Sequence, residues 1–594
     1  MGAAAIAVWH YLKLLEWSKT TTYNFDAVHS YMPLARKLLD EGPAFLLTEQ
    51  AMQVPPFAYV FPALFGADLL FQAQLHMVLS VIALLALYRT GLLMHSHVAG
   101  LACAAAYGLT PNLWPFMATA SVDPIHIFLI ALWTWSLAEG ESGKRWGFVV
   151  AGVVMGLATL TRATTLYFLP LIIVLGWWCS RRPGANAGFW KGVLHGHAIA
   201  LAFVAPVLIK NLVMFGIPAV STGAGIALLL GSHPLMWGMD GSYFNIANDH
   251  IAAMAPGQSH LDVASDKSML ALARFMIWDQ PFFTAKMYAT KVVMFLFVTN
   301  REWVMPVELL RGWRIVFIAL AACAMPLARL RPLVTLLLVY VLFQLAIHTP
   351  ALYAHRYSVG ALEVPLAVLG GLGAAYLLFH ARLRVTIVVL PVIVCLVLLG
   401  SRLARNHHYP LLNIDRVAAD VAVSYSLPNL PISATGFKQG PAGSYTQSDP
   451  VGTMEIDLSR ATQMHAGSVN VIALRVTAVD IGTGGPVLNG CQHVKVMYRD
   501  LAQPEFSENR VYYDEWPLQA KTPVFMGGQW HLRVTAPGVL KLQFNCPRVR
   551  YDFTRIEVLQ PHATATYRDV FFKQNGVSSW QDWATKTNGK KSTP

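Results

Sequence analysis

Long apolar runs recur through the first 400 residues, and they constrain the fold more than any other feature. They lie at 1–17, 67–88, 98–117, 125–139, 147–161, 166–179, 193–214, 312–328, 333–348, 360–379 and 385–400. A helix needs about 20 apolar residues to cross the hydrocarbon core of a bilayer. The chain is 55% hydrophobic and 13% charged, whereas soluble domains carry about 25% charged residues. We therefore predict a mainly α-helical polytopic membrane domain over 1–400, with about eleven transmembrane helices.

The basic residues of this region fall in alternate loops. These loops carry Arg89, then Lys144 and Arg145, then Arg181, Arg182 and Lys191, then Arg329 and Arg331, then Arg382 and Arg384. Cytoplasmic loops of membrane proteins are enriched in Lys and Arg, so we predict that these loops face the cytoplasm. The loop after the first helix, and everything after residue 401, is then predicted to lie on the periplasmic side.

Two stretches are not assigned as membrane-crossing helices. Residues 284–300 would invert every later basic loop if they crossed, so we predict a helix that lies at, or dips into, the external surface, the alternative being a hairpin of two short segments. Lys286 and Lys291 are expected on its polar side. Residues 215–283 are predicted to form a long external loop that is too apolar to be disordered, and loops of that length are usually functional.

The composition changes at about residue 401, where short segments with alternating apolar residues replace the long runs. Examples are SVNVIALRVTAVDI (468–481), CQHVKVMYRDL (491–501) and VLKLQFNC (539–546). This alternation predicts an all-β, sandwich-like domain over 401–575, followed by a flexible tail at 576–594. If this domain faces an oxidising compartment, Cys491 and Cys546 are expected to form a disulfide.

Charge and motifs exclude several classes of function. The formal net charge is +12, but the basic residues are scattered over loops and no nucleic-acid-binding motif accompanies them, so no nucleic-acid partner is expected. The sequence has no phosphate-binding P-loop, dinucleotide fingerprint or helical zinc motif in a supporting context. These observations argue against an ATP-driven pump and against a nucleotide cofactor.

The loop between the first two apolar runs, residues 23–66, is the first candidate site. Asp26 follows the first run, and a short amphipathic helix then carries Tyr31, Leu34, Ala35, Leu38 and Leu39 at helical spacing and stops near Gly42. Pro55 and Pro56 precede the next run. A carboxylate at the membrane surface suits a general base, while the alternative is that Asp26 caps the surface helix.

The order of these pieces resembles the first external loop of the polytopic, lipid-sugar-dependent glycosyltransferases of the GT-C superfamily. This superfamily includes the protein O-mannosyltransferases and the lipid A aminoarabinose transferase. The resemblance covers roughly residues 1–400. It implies a polyprenyl-phosphate-linked sugar donor, a periplasmic acceptor (protein, glycan or lipid) and a site in a bacterial inner membrane, with Asp26 as the base. Val54 stands where the aminoarabinose transferase has a lysine, which weakens lipid A as the acceptor.

The resemblance also implies roles for two residues near span ends. Asp123, in TASVDPIHIF, matches a second acidic residue that orients the acceptor or, in some members, binds a divalent ion. The alternative is a plain helix cap, favoured by Pro124. Arg162, in LTRATTLYFLP, matches a cation that meets the donor phosphate, and its alternative is a snorkelling anchor. A divalent metal on Asp26 and Asp123 stays open, and no other cofactor is expected.

A further match is HTPALYAHRYSVGALEVPLAVLGG, residues 348–371. Here the resemblance implies that Tyr353, His355, Arg356 and Tyr357 face the site, with Arg356 on the phosphate; the alternative is an interfacial aromatic belt with a basic anchor. The stretch 208–234 adds Lys210, Asn211 and His233 as weaker contacts, and Tyr31 is grouped with the binding residues. The competing interpretations are a flippase or transporter of lipid-linked sugars with a periplasmic carbohydrate-binding domain, and a non-catalytic scaffold.

Overall fold

The computed structural model describes most of the helical region and the strands of the C-terminal region. It covers residues 2–18, 27–182, 186–232, 261–279, 281–297, 307–351, 355–380, 419–426, 432–440, 444–459, 470–480, 493–500, 504–506, 511–515, 524–534, 537–544 and 549–561. The chain divides into two compact units. Described residues of the first unit lie within 2–18, 29–222, 288–297 and 307–380. The second unit takes 223–232, 261–279, 281–287 and the strands.

Helices make up the described part of the first unit. The first ten are α1 (Gly2–Ser18), α2 (Met32–Glu41), α3 (Phe57–Ala63), α4 (Leu69–Met94), α5 (His97–Gly108), α6 (Trp114–Met117), α7 (Val122–Glu141), α8 (Trp146–Thr161), α9 (Phe168–Ser180) and α10 (Ala187–Phe215). In the described residues, Leu69–Met94, Ala163–Ser180, Ala187–Phe215 and Tyr357–Phe379 are long and apolar enough to cross a membrane, and Trp146–Thr161, Gly312–Cys323 and Pro332–His348 are shorter apolar helices. The prediction of a multi-pass membrane domain is confirmed.

Among the described residues, six further helices follow α10. They are α11 (Ala224–Ser232), α12 (Val263–Asp279), α13 (Pro281–Phe297), α14 (Val307–Cys323), α15 (Pro332–His348) and α16 (His355–His380). The helices α14, α15 and α16 belong to the first unit, together with the last part of α13, whereas α11 and α12 belong to the second. The predicted span at 385–400 lies outside the described residues.

Ion pairs between the ends of distant helices fix one end of the first unit. The Glu139 carboxylate, near the end of α7, lies 3.1 Å from Arg89 Nε of α4 and 2.8 Å from Lys144 Nζ. Glu141 accepts a hydrogen bond from the backbone amide of Leu333 at the start of α15. Loops predicted to share the cytoplasmic side therefore meet at one end, called here the basic end.

Contacts between α4 and α7 locate the end of the unit that lies opposite the basic end. The side chain of His76, in the second turn of α4, reaches the carbonyl of Thr119, just before α7 begins, at 2.7 Å. Since α4 and α7 also meet at the basic end through Arg89 and Glu139, the two helices run in the same direction. The start of α7, the end of α8, the end of α15 and the start of α16 all lie at the opposite end.

The predicted span 98–117 is wrong in one respect, because the structure breaks it in two. The helix α5 ends at Gly108, and α6 begins at Trp114. Pro111 explains the break, since proline has no amide to donate and restricts the residue before it. The carbonyl of Gly108 accepts from His10 Nδ1 at 2.8 Å and from Trp114 Nε1 at 3.3 Å, so it is well partnered.

The amphipathic surface helix is present as α2. It buries Met32, Leu34 and Ala35 and ends at Gly42, whose φ of 68° lies in the left-handed region that glycine tolerates best. Leu39, expected on the apolar face, is exposed. The helix follows a π-helical turn over Ala27–Tyr31, and Asp26 itself lies outside the described residues.

One prediction about α13 is wrong. Residues 281–297 are helical as expected, but Lys291 is buried instead of lying on an exposed polar side. Its ammonium donates to the carbonyl of Ala351 at 2.9 Å, a partner that no local pattern could reveal. The side chain of Lys286 lies outside the described residues.

In the second unit, Asp266 of α12 holds the start of α11. Its carboxylate accepts from the backbone amides of Gly223 at 2.9 Å and Gly225 at 2.7 Å. Burial raises the pKa of Asp266, while these backbone hydrogen bonds oppose the shift. A Cβ at Gly225 would stand 2.1 Å from the Asp266 carbonyl oxygen, so only glycine permits this approach.

Two antiparallel sheets form the C-terminal part of the second unit. Their strands are β1 (Ala419–Ser426), β2 (Ile432–Thr435), β3 (Phe437–Gln439), β4 (Ser444–Gln447), β5 (Gly452–Asp457), β6 (Asn470–Asp480), β7 (His493–Asp500), β8 (Val511–Glu515), β9 (Val524–Val534), β10 (Gly538–Phe544) and β11 (Val549–Pro561). One sheet has the order β3-β4-β11-β6-β9, with β1 also on β11, and the other has β2-β5-β10-β7-β8.

The two sheets meet through aromatic side chains. Phe544 of β10 and Tyr551 of β11 have ring centres 4.5 Å apart, and Phe437 of β3 packs edge-on against Phe544. Beside them, Met454 and Ile456 alternate with more exposed residues along β5, as expected for a sheet with one buried face. The predicted fold class, a helical membrane domain with a C-terminal all-β domain, is confirmed.

Candidate active site

A buried ion pair marks the end of the helical unit opposite the basic end. The Asp123 Oδ1 atom lies 3.2 Å from Arg162 Nη1, and the two side chains are only 2% and 10% exposed. Asp123 is the second residue of α7, and Ser121, not Asp123, caps that helix by accepting from the Asp123 amide at 3.2 Å. Arg162 follows the last residue of α8 with an extended backbone, which turns its side chain back toward α7.

The Arg162 guanidinium also lies over an aromatic ring. Its central carbon is 5.0 Å from the centre of the Tyr357 ring, in the first turn of α16. Tyr357 stacks on His348 with ring centres 5.8 Å apart, and His348 stacks on Phe295 at 5.1 Å. Three rings and one guanidinium therefore form a continuous column next to Asp123.

Space for this column depends on a glycine. A Cβ built at Gly360, one turn beyond Tyr357, would stand 2.6 Å from Arg162 Nη1 and 3.6 Å from Asp123 Oδ1. Distances below 3.0 Å require a neighbour to move, so a side chain at this position would push the guanidinium out of its place. Glycine at this position thus leaves room for the Arg162 guanidinium beside α16.

Two histidines line the same place, and the sequence analysis did not single them out. His126 lies one turn after Asp123 on α7, and both His126 and His348 are near enough to Arg162 for their charges to interact. Within the described part of the chain, the Nδ1 atom of each ring is buried and has no hydrogen-bond partner. The motifs quoted for Asp123 and Arg356 contain both residues, so proximity in sequence was the available signal.

The end of α13 is tied to this column. Ser358 Oγ donates to the carbonyl of Phe295 at 2.5 Å, and Lys291, one turn before Phe295, donates to Ala351. Burial lowers the pKa of Lys291 to about 7. The site therefore has a buried amine close by that gains or loses its proton near neutral pH.

A second buried ion pair lies one turn further along α16. Glu363 Oε1 is 2.6 Å from Arg314 Nη2 of α14 and accepts from Asn112 Nδ2 at 3.0 Å. Both charged side chains are at most 1% exposed. This pair, which the sequence analysis also missed, joins α14, α16 and the segment that leads from α5 toward α7.

The structure places the other predicted residues as follows. Lys210 donates to the carbonyl of Leu46 at 2.7 Å, and Asn211 donates to that of Ala219 at 2.6 Å, so both hold loops. Tyr31 ends the π-helical turn before α2. His355 and Arg356 begin α16, but their side chains lie outside the described residues, as do Asp26, Tyr353, His233, Cys491 and Cys546.

Of Asp26 and Asp123, the two carboxylates that the sequence offers for a divalent metal, only Asp123 lies within the described residues. No group of three or more His, Cys, Asp or Glu side chains in the described ranges could hold one. The Arg162 guanidinium lies against Asp123 and repels a second cation there. The described residues therefore do not fit a divalent ion.

Part of the chain matches a known protein family. Residues 51–209 match the family model described as dolichyl-phosphate-mannose-protein mannosyltransferase, and this segment contains both Asp123 and Arg162. No curated protein matches the chain in a sequence comparison.

Solved structures give partial likenesses. The oligosaccharyltransferase of Archaeoglobus fulgidus in the apo form is 11% identical, with a TM-score of 0.40 over 68% of this chain and 55% of that one. The same archaeon's enzyme, in complex with an inhibitory peptide and a dolichol-phosphate, has a TM-score of 0.37 at 11% identity, over the same shares of the two chains. ArnT from Cupriavidus metallidurans, bound to undecaprenyl phosphate, is 16% identical with a TM-score of 0.25, over 63% of this chain and 77% of that one. This chain spans about half the length of the archaeal protein (55%).

Proposed function

We propose that this chain is a membrane glycosyltransferase of the GT-C superfamily, because residues 51–209 match the mannosyltransferase family model, and that it transfers a sugar from a polyprenyl-phosphate-linked donor to an acceptor. The observation that carries the proposal is the buried Asp123–Arg162 pair, which lies within the matched segment at the end opposite the basic loops. The proposed acceptor is a periplasmic protein, glycan or lipid, and the proposed location is a bacterial inner membrane with the β-domain in the periplasm.

The reaction exchanges one bond at the anomeric carbon. The bond from this carbon to the phosphate oxygen breaks, and the lipid phosphate leaves with the electron pair. A hydroxyl or amine of the acceptor forms the new bond and gives up its proton. We assign that proton to Asp26, because a carboxylate beside the acceptor can take it.

Asp123 has a different proposed role. Its carboxylate lies 3.2 Å from the Arg162 guanidinium and is already engaged as the counter-ion of that group. We therefore assign Asp123 to holding Arg162 in place and to orienting the acceptor.

Arg162 is the proposed partner of the leaving phosphate. A planar guanidinium can offer donors to Asp123 and to a phosphate oxygen at once, while the Tyr357 ring supports its face. Arg356, His355, Tyr357 and Lys210 remain proposed contacts of the lipid phosphate, and Tyr31 of the substrate. The disulfide between Cys491 and Cys546 also stays a proposal.

The test is transfer of a radiolabelled sugar from polyprenyl-phosphate sugars by the purified full-length protein in lipid. Wild type is expected to transfer label, and Asp26→Asn is expected to bind the donor and transfer little. Equal transfer by both would remove Asp26 from the chemistry. Scrambling of the lipid across vesicles, without transfer from any donor, would contradict the enzyme and favour the flippase.

A further inference from the structure

Two buried polar side chains on α4 carry atoms that have no hydrogen-bond partner among the described residues. Gln72 and His76 are one turn apart, with exposures of 0% and 2%. Neither amide atom of Gln72 has a hydrogen-bond partner among the described residues, and the same is true of His76 Nε2. Buried polar atoms without partners are costly and rare in native proteins, so these three atoms call for a partner from outside the described residues.

The tautomer of His76 follows from its one partner. Its Nδ1 atom lies 2.7 Å from the carbonyl oxygen of Thr119. A carbonyl can only accept, so Nδ1 carries a proton, and in the neutral imidazole Nε2 then presents a bare lone pair. The missing partner of His76 must therefore donate a hydrogen bond.

The next histidine network shows what a completed arrangement looks like. His10 Nδ1 likewise donates to a carbonyl, that of Gly108, but its Nε2 accepts from Ser80 Oγ at 2.8 Å. Ser80 Oγ in turn lies 3.2 Å from the Tyr107 hydroxyl. Ser80 follows His76 by one turn on the same helix. The same helix thus carries one closed network and, next to it, an open one.

The open network lies at the end of the unit that holds the ion pair. Gln72 and His76 occupy the first two turns of α4, and α4 runs in the same direction as α7, which carries Asp123 in its first turn. Thr119, the partner of His76, is two residues before Ser121, which caps α7. The unpaired atoms and the ion pair are thus linked by one short, buried segment.

We propose that Gln72 and His76 form a subsite that recognises hydroxyl groups of the sugar on the lipid-linked donor. This inference rests on the proposed function. A hydroxyl can donate to His76 Nε2, and neighbouring hydroxyls can both donate to and accept from the Gln72 amide. Phosphate diester oxygens only accept, so they do not suit the bare lone pair of His76. The subsite therefore recognises the sugar hydroxyls and not the phosphate oxygens.

The experiment compares two lipids of equal charge. Full-length protein in nanodiscs is titrated with polyprenyl-phosphate mannose and with the methyl phosphodiester of the same polyprenyl phosphate, which has no sugar hydroxyls. The measured quantity is the ratio of the two affinities. Transfer by wild type is recorded alongside.

Two substitutions at His76 separate recognition from structure. His76→Asn keeps a donor near the Thr119 carbonyl and removes the acceptor at the Nε2 position. His76→Gln keeps a polar atom near the Nε2 position and loses the hydrogen bond to the Thr119 carbonyl. We expect His76→Asn and Gln72→Met each to lower the affinity ratio about fivefold, the value of one ordinary hydrogen bond. His76→Gln should retain more of the ratio than His76→Asn does. Ser80→Ala, buried on the same helix but partnered inside the protein, should leave the ratio unchanged.

Each outcome decides the matter. If His76→Asn and Gln72→Met keep the wild-type ratio while wild type transfers sugar, the subsite is wrong and the proposed function stands. If they weaken both lipids equally, the two residues serve structure alone. If wild type neither transfers sugar nor distinguishes the two lipids, the proposed function itself fails.

Discussion

The guanidinium carbon of Arg162 lies 5.0 Å from the centre of the Tyr357 ring, although Arg162 follows the end of α8 and Tyr357 lies in the first turn of α16. The same guanidinium meets Asp123 at the start of α7. Three helix ends thus build this site. The start of α7 and the end of α8 each supply a charged group, and the start of α16 supplies the ring that supports the guanidinium. The predictions below follow from this geometry and from the buried charges around it.

Replacing Gly360 with alanine should disturb the ion pair. The new methyl group would stand 2.6 Å from Arg162 Nη1, so the guanidinium must shift, and displaced catalytic groups commonly cost about tenfold or more in rate. We expect at least that loss of transfer by Gly360→Ala in the radiolabel assay. Gly370→Ala on the same helix is the matched control. The nearest contact there is an ordinary 3.6 Å, so activity close to that of Gly360→Ala would contradict the argument.

Asp123 and Arg162 should depend on each other for stability. Asp123→Asn leaves a largely buried guanidinium without its carboxylate, and breaking such pairs costs about 3 kcal/mol. Adding Arg162→Gln should recover part of that loss. The measurement is a double-mutant cycle on denaturant unfolding in detergent. Additive losses in the two single variants and the double variant would show that the two groups are not coupled.

The pair between Arg314 and Glu363 should behave similarly but without a large effect on substrate affinity. Both side chains are fully buried, and Asn112 also donates to Glu363. Glu363→Gln is expected to lower stability by about 3 kcal/mol, whereas Arg314→Met with Glu363→Leu should be much less costly. Thermal unfolding of the three proteins tests this. A double variant less stable than Glu363→Gln would contradict the expectation.

Lys291 should make stability depend on pH in the alkaline range. Its pKa is about 7 in the folded protein, against about 10.4 in an unfolded chain. Between these values the unfolded state binds more protons, so its contribution to stability rises with pH. Below pH 7 the amine is protonated in both states, and its unfavourable contribution is then constant and at its largest.

The corresponding comparison is Tm of Lys291→Met minus Tm of wild type, measured from pH 6 to pH 10. The Tm of Lys291→Met relative to wild type should be highest at pH 6. Above pH 7 this difference should change steadily in favour of wild type. The lost hydrogen bond to Ala351 adds an offset that does not depend on pH. A difference that stays constant over the whole range would show that the Lys291 amine does not change its pKa on folding.

Local sequence patterns predicted much of the fold. Apolar runs located α4, α7, α8, α10, α15 and α16 to within a few residues, because the length of a run and the lack of charge are local properties. Gly42 ended α2 as expected, since its positive φ suits glycine. The alternating segments at 468–481, 491–501 and 539–546 located β6, β7 and β10, whereas the short strands β2 to β5 were missed because each spans only a few residues.

What the sequence could not give were contacts between distant segments. The burial of Lys291 depends on Ala351, and the column on Arg162 depends on Tyr357, His348 and Phe295 from three different helices. The resemblance suggested Asp123, Arg162 and Tyr357 as site residues, but not that they touch. His126, His348 and Glu363 lie inside the quoted motifs, but the sequence does not show what they contact, because a polar residue in an apolar run does not reveal its partner.

The measurement that tests the central claim most directly is single-turnover transfer from polyprenyl-phosphate mannose by wild type, Arg162→Lys and Arg162→Met. If Arg162 meets the leaving phosphate, Arg162→Lys should keep part of the rate, because it keeps the charge but loses the planar donors and the stacking on Tyr357. Arg162→Met should lose about 100-fold or more. Wild-type rates in an Arg162→Met protein that is folded and binds the donor would contradict the account.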